Sequence, residues 1–305
     1  MERALSRYDC CLECLAHCQL ANAGWPFQSG NAQAAVEPTA LALLALPPKL
    51  TTERDAAIRF LVEIQNPNGS WPAFSGDDSG GSGVTGLAAY ALQSSGVTGP
   101  PINRALRWLL RSQGWEAHWL WKWKFRTTDR HVRFNPDKFG WPWMPETVSW
   151  VVPTAYSILA LRPLKALSHQ DIAERRTRLA VEMLYDRLCP GGGWNAGNGV
   201  VYGAALAPHP DVTALALLSL SKEPMNPAIS ESLEWLKGRA EACHAPWSLG
   251  WTILALHAYG APIQRWIDAL CSVVEPTEIN DCATLAVVCL ALGCLVETDV
   301  FGAKP

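Results

Sequence analysis

The sequence predicts an all-α fold, a closed (α/α)6 toroid of six helical hairpins forming a single domain over residues 1–305. Three observations predict it. The phrase Thr39-Ala-Leu-Ala-Leu-Leu-Ala-Leu46 returns as Thr213-Ala-Leu-Ala-Leu-Leu-Ser-Leu220, with looser copies at Thr85–Leu92, Thr154–Leu161 and Thr252–Tyr259. Self-similarity every few tens of residues marks a repeat architecture. Each phrase is apolar nearly all round, as a helix buried on every side must be, whereas the segments between them are amphipathic. Several of those segments run into a glycine–tryptophan turn, and 15 tryptophans in 305 residues is the outlier of the composition. Inner helices this apolar favour a closed ring over an open solenoid.

The first amphipathic helix is read over Tyr8–Gln19, with Cys11, Leu12, Leu15 and Cys18 on one face, and Gly24-Trp25-Pro26 ends it. The first buried helix begins at Thr39, with Pro38 in the first turn, where a missing N–H costs nothing, and Pro47-Pro48 stops it. Arg54–Gln65 is the next outer helix and closes on the breaker-rich turn Gln65-Asn-Pro-Asn-Gly-Ser-Trp71. A small-residue loop (Ser75–Gly83) leads to the second buried helix. Arg104–Gln113 with Gly114-Trp115, and Arg178–Arg187 with Gly192-Gly193-Trp194, repeat the unit. Ser232–Ala242 and Gln264–Val273 are the last outer helices, and Cys282–Leu292 is the sixth inner one.

Composition narrows the function. A net charge of −3 gives no reason to expect nucleic acid as a partner. Met1–Cys18 mixes Glu2, Arg3, Arg7, Asp9 and Glu13 among apolar residues, unlike a signal peptide. The longest apolar run, Cys282–Val296, is shorter than the ~20 residues of a membrane span. The expected location is cytoplasmic, with peripheral membrane contact as a further option. Ten scattered cysteines do not suggest a disulfide framework.

Leu61-Val-Glu-Ile-Gln65-Asn-Pro-Asn-Gly69-Ser-Trp71 resembles the glutamine–tryptophan repeat of squalene and hopene cyclases. Leu15–Gln19 with Gly24-Trp25, and Leu109–Gln113 with Gly114-Trp115, are degenerate copies. At that level the chain resembles the prenyltransferase and squalene-oxidase repeat superfamily along essentially its whole length. The resemblance implies the α/α toroid and an isoprenoid ligand or substrate. It does not by itself fix a chemistry, because one fold serves several. The glutamine is expected to tie off backbone groups at helix ends and the tryptophan to pack over the outer helix.

Class II terpene cyclases carry Asp-x-Asp-Asp-Thr-Ala at the start of an inner helix. The resemblance places His209-Pro-Asp211-Val-Thr213-Ala there, with the proton-donating aspartate at Asp211 and His209 and Val212 in place of its neighbours. Asp211 reads also as a helix N-cap. Glu37 and Asp281 occupy similar positions before two other inner helices, so shared polarity gathers Glu37, Asp211 and Asp281 around one mouth. Crowded carboxylates raise each other's pKa, which is how a proton donor arises. Asp77-Asp78 is read as a solvated loop, although such a pair suits Mg2+ on a diphosphate substrate; no other cofactor is expected. The zinc set of prenyltransferase β subunits is not matched, since Asp281 and Cys282 are adjacent and Trp251 stands where a histidine ligand is sought, so no metal residue is assigned. Cys10, Cys11, Cys14 and Cys18 are read as packing.

The insertion 114–150 is Trp-rich. Trp119, Trp121, Trp123 and Phe125 alternate with Leu120, Lys122, Lys124 and Arg126, and with Val132–Phe134 the period of two reads as a β-hairpin over the barrel mouth. Aromatic faces stabilise carbocations and basic side chains suit a diphosphate. The expected function is a terpene-cyclase-like enzyme acting on a linear isoprenoid. Asp211 is its acid, His209 and Glu37 tune it, and Trp119, Trp121, Trp123, Asp281, Lys122 and Arg126 hold substrate. The alternatives are a non-catalytic isoprenoid or lipid binder, or a prenyltransferase-β-like chain needing a helical partner subunit.

Overall fold

The computed structural model describes residues 2–77, 80–128, 131–163, 170–296 and 300–301. Its helices are α1 (Glu2–His17), α2 (Val36–Ala45), α3 (Thr51–Glu63), α4 (Thr85–Ser94), α5 (Pro100–Arg111), α6 (Trp119–Thr127), α7 (Val151–Leu161), α8 (Gln170–Asp186), α9 (Pro210–Leu220), α10 (Pro227–Ala240), α11 (Pro246–Ala258), α12 (Gln264–Val273) and α13 (Cys282–Gly293). Two short antiparallel ribbons complete it, β1 (Trp25–Pro26) with β2 (Ala34–Ala35) and β3 (Val200–Val201) with β4 (Ala204–Ala205).

Six helices form an inner ring. In order, α2, α4, α7, α9, α11 and α13 each pack on the next, and α13 packs back on α2, closing the circle. The outer sleeve follows with α3 on α2, α5 on α4, α8 on α7, α10 on α9, α12 on α11 and α1 on α13. The fold is therefore the expected all-α toroid, and its first helix is the one that seals its last. The pattern of burial explains the two shells. Every residue of α13 except Thr284 is buried, while α5 buries only Ile102, Ala105, Leu106 and Leu109 along one stripe. Where α4 meets α7 the backbones approach so closely that a Cβ on Gly86 would lie 2.6 Å from the Ser157 amide nitrogen, so no larger residue fits there.

In four of the six hairpins the threonine and the tryptophan are two ends of one device. The Trp25 amide donates to Thr39 Oγ1 at 2.9 Å and its indole N–H to the Leu15 carbonyl at 2.7 Å. The same pair of bonds joins Trp71 to Thr85 and Leu61, and Trp194 to Thr213 and Leu184. Each turn thus pins the end of an outer helix to the first turn of the next inner helix, and satisfies buried donors that would otherwise be costly. The glutamines reach further: Gln65 Nε2 donates to the Gly69 and Pro101 carbonyls at 3.0 and 2.9 Å, and Gln19 Nε2 to those of Ala23 and Glu53. They therefore tie each turn to the first turn of the next outer helix.

In the third hairpin the structure corrects the sequence reading. The turn tryptophan is Trp141, not Trp115, since Trp141 donates its amide to Thr154 Oγ1 at 3.0 Å and its indole to the Leu109 carbonyl at 2.9 Å. The insertion interrupts the repeat before its glycine. Arg176 of α8 locks the displaced turn, stacking 3.7 Å over the Trp141 ring and donating to the Ser112, Phe139 and Gly140 carbonyls. In the fifth hairpin no such turn exists, and the buried Thr252 hydroxyl is left without a partner.

Trp119–Arg126 form helix α6 and not the β-hairpin expected from their alternation. His118 stands at its N-cap, its Nδ1 accepting from the Leu120 amide at 3.4 Å. The alternation that suggested a strand divides differently on a helix. Trp121 and Phe125 fall on one face, against Trp115 and Phe134, and Trp119 and Trp123 fall on another, toward solvent. Val132 does pair in extended form, but with Val201.

Candidate active site

Every outer-to-inner connection delivers the chain to the N-terminal ends of the ring helices, so the carboxylates at those ends share one mouth. Glu37 is the second residue of α2, Asp211 the second of α9, and Asp281 the N-cap of α13. Two residues from other ring helices join them. Tyr156 of α7 donates its hydroxyl to Glu37 Oε1 at 3.3 Å, and Trp247 of α11 donates its indole N–H to Asp211 Oδ2 at 3.2 Å. Trp247 also meets Trp251 edge to face, with ring centroids 5.7 Å apart. The mouth thus presents three acids against three aromatic side chains.

The acids are not equivalent. Burial pushes the Glu37 carboxyl from its ordinary 4.5 up to about 7, the Tyr156 hydrogen bond opposes that rise, and the charge of Asp281 adds to it. Tyr156 is itself raised well above 10 by burial and by the charge of Glu37. Asp281 spends one oxygen as a cap, Oδ1 accepting from the Thr284 amide at 2.5 Å. The loop between β1 and β2 roofs this side, since Ser29 N donates to the Asn280 carbonyl and Cys282 N to that of Phe27.

Several expected roles change. Asp211 is not the helix cap: His209 holds that position, and neither side chain caps the helix. Among the described residues the His209 imidazole has no hydrogen-bond partner, so nothing links it to Asp211. Trp119 and Trp123 point to solvent, 72% and 60% exposed, and Trp121 stacks on Trp115 at 4.7 Å, so none of the three meets the carboxylates. Lys122 and Arg126 both pair with Asp137, which directs their charge within the insertion and away from the mouth. Asp77 Oδ2 accepts from the Ala73 amide within its own loop, and Asp78 lies outside the described residues. Tyr156 and Trp247 were missed. Tyr156 was legible, because the other four copies of the threonine phrase carry leucine at that place (Leu41, Leu87, Leu215, Leu254). Trp247 left no comparable signal.

Four clefts lie away from this mouth. One of about 680 Å³ is lined by Arg104, Arg107, Arg111, Trp108 and Trp115. Another, of about 730 Å³ at the opposite end of the ring, is lined by Tyr90, Gln93, Leu159, Arg162 and Phe301. The Phe301 ring stacks on Tyr90 there, at 5.7 Å between centroids, and also packs on Trp251. None of the four is lined by Glu37, Asp211 or Asp281. Among the described residues no helix is long and apolar enough to cross a membrane, and no group of three His, Cys, Asp or Glu residues is placed to hold a metal ion.

No protein family and no curated protein matches the chain. Solved structures do. A crystal structure of a protein from Actinoplanes is 18% identical, with a TM-score of 0.62 over 95% of this chain and 98% of that one, a likeness that shows the shared fold alone. A type II terpene cyclase from Scytonema, in complex with geranylgeranyl dihydroxybenzoate, is 13% identical, with a TM-score of 0.43 over 97% of this chain and 98% of that one. The same cyclase without ligand gives 15% and 0.37 over 77% and 79%. Scores at that level carry no activity across.

Proposed function

We propose that the protein is a terpene-cyclase-like isomerase that protonates a linear isoprenoid at the N-terminal mouth of the ring. The observation that supports this most is the Glu37–Tyr156 pair. A carboxyl with a pKa near 7 is half protonated at neutral pH, the condition a general acid requires. Glu37 is therefore the proton donor of this reading, in place of Asp211. Tyr156 positions its carboxyl and stabilises the carboxylate left after proton transfer. Trp247, Trp251 and Tyr156 supply aromatic faces for the cation that follows. Asp211, bonded to the Trp247 indole, sets the angle of that ring. Substrate reaches Glu37 once the β1–β2 loop lifts from the start of α13.

A second reading, a non-catalytic binder of an apolar ligand, is favoured by the cleft at the opposite end, which has aromatic walls and reaches none of the acids. The test incubates purified protein with geranylgeraniol, geranylgeranyl diphosphate or squalene and reads products by gas chromatography and mass spectrometry. A cyclic product lost in Glu37→Gln and retained at reduced rate in Asp211→Asn supports the proposal. Turnover unchanged in Glu37→Gln refutes it, and an isoprenoid recovered unaltered from wild-type protein leaves the binder as the better reading.

A further inference from the structure

We propose that α6 and the neighbouring face of α5 form a docking surface for an anionic lipid bilayer. No residue of α6 is buried. Its outward face carries Trp119, Leu120 and Trp123, exposed at 72%, 48% and 60%, and Trp115, which stacks on Trp121 of the helix, is exposed as well. Large apolar side chains grouped in this way mark an interaction surface.

The charge of the same face is positive. Helix α6 contains no acidic residue, and Lys124 lies 4.5 Å above the Trp121 ring. Next to it, Arg104, Arg107 and Arg111 project from one stripe of α5 into the 680 Å³ cleft, between the indoles of Trp108 and Trp115. Among the described residues neither Arg107 nor Arg111 has an ion-pair partner. Glu146 lines the cleft without closing on them, and Asp137 is taken by Lys122 and Arg126. Trp115 joins the two parts, since it walls the cleft and stacks on Trp121 with the rings 19° from parallel. The platform is fixed from below, because the fully buried Glu116 accepts from the Ser149 amide and faces Arg187 at 3.9 Å.

An amphipathic helix with indoles on one side and cations around it suits the headgroup region of a bilayer, where tryptophan is favoured and basic residues meet anionic lipid. A protein partner would need acids to neutralise the arginines as well as pockets for three indoles, whereas an anionic bilayer supplies both at once. The insertion belongs to an outer-to-inner connection, so the surface lies at the same end of the ring as Glu37. A docked ring would open toward the phase in which isoprenoids dissolve. The docking itself stands on the surface alone and does not depend on catalysis.

The test is co-sedimentation with phosphatidylcholine vesicles and with vesicles containing 30% phosphatidylglycerol. The wild type is expected to pellet with the anionic vesicles, to stay in solution with the neutral ones, and to be released by high salt. Arg107→Gln with Arg111→Gln removes two cations and is expected to weaken binding about 25-fold. Trp119→Ser with Trp123→Ser is expected to weaken it at least tenfold and to reduce quenching of tryptophan fluorescence by brominated lipid. All four side chains are exposed, and circular dichroism melts verify that both variants stay folded. Failure of the wild type to bind anionic vesicles overturns the proposal, and so does binding by both variants as tight as that of the wild type. A dimer in light scattering that the tryptophan variant dissociates would instead give the surface to a second copy of the chain.

Discussion

Glu37→Gln isolates the titration on which the acid assignment rests. The carboxyl titrates near 4.5 in the unfolded chain and near 7 in the folded one. Below pH 4.5 both states hold the proton and the group has no effect on stability. Between 4.5 and 7 the unfolded chain releases the proton while the folded one keeps it, so stability falls as pH rises. Above 7 both states are ionised and the loss is complete. At 1.36 kcal/mol per pH unit the gap corresponds to about 3 kcal/mol, and partial exposure of the side chain brings the expected value to about 2–3 kcal/mol. Glutamine keeps the shape and cannot ionise. Urea denaturation of both proteins from pH 4.5 to 8 gives the difference directly, since the other titrations cancel. The variant should match the wild type at the acid end and exceed it by about 2–3 kcal/mol at pH 8. A difference that stays flat, or that shrinks as pH rises, would refute the raised pKa and remove Glu37 as the acid.

Two other expectations test the architecture. Thr213→Val removes the acceptor of the buried Trp194 amide and should cost about 1–3 kcal/mol in urea denaturation. Thr252→Val should cost nothing or stabilise, because that hydroxyl has no partner to lose; equal losses would break the link between threonine and turn. Just past the end of α1, the hydrogen bond from Cys282 lowers the Cys18 thiol below its ordinary range, although burial opposes it, while burial and neighbouring thiols raise Cys14, within α1, to about 11. At pH 7 iodoacetamide should therefore modify Cys18 well before Cys14, as read by peptide mass mapping, and comparable rates would contradict the pairing of α1 with the start of α13.

The ring was legible because its signal is repeated. Five copies of one apolar phrase cannot all be chance, and the burial of every residue of α9 from Val212 to Leu220 is the physical form of that uniformity. The mouth was partly legible for the same reason, since helices of shared polarity put Glu37, Asp211 and Asp281 at one end. The insertion was not. Its period of two is compatible with a strand, yet Trp121 and Phe125 are also four apart, and contacts with Trp115 and Phe134 decide for a helix. Those contacts are tertiary and leave no local trace. The third turn was misplaced for a related reason, because Gly114-Trp115 and Gly140-Trp141 look alike in sequence. Only the carbonyl of Leu109 and the hydroxyl of Thr154 distinguish them.

All three mouth carboxylates sit where the partial positive charge of a helix N-terminus favours the ionised form, by roughly 0.3–1 kcal/mol. For Glu37 burial outweighs that bias, and two neighbours act on it in opposite directions. Asp281→Asn removes a negative charge while keeping the cap, because asparagine serves as well there, so Glu37 should ionise at lower pH. Tyr156→Phe removes a donor to the carboxylate, and Glu37 should ionise at higher pH. A hydrogen bond to a charged acceptor is worth roughly 1.5–3 kcal/mol, and at 3.3 Å the low end applies, about one pH unit. Both shifts can be read from the midpoint of the pH-dependent stability difference when Glu37→Gln is introduced into each background. Midpoints that moved the same way would mean that the surroundings act on the fold as a whole and not on this carboxyl. Opposite movement would show that one acid is held near neutrality by a balance of burial, a hydroxyl and a neighbouring charge.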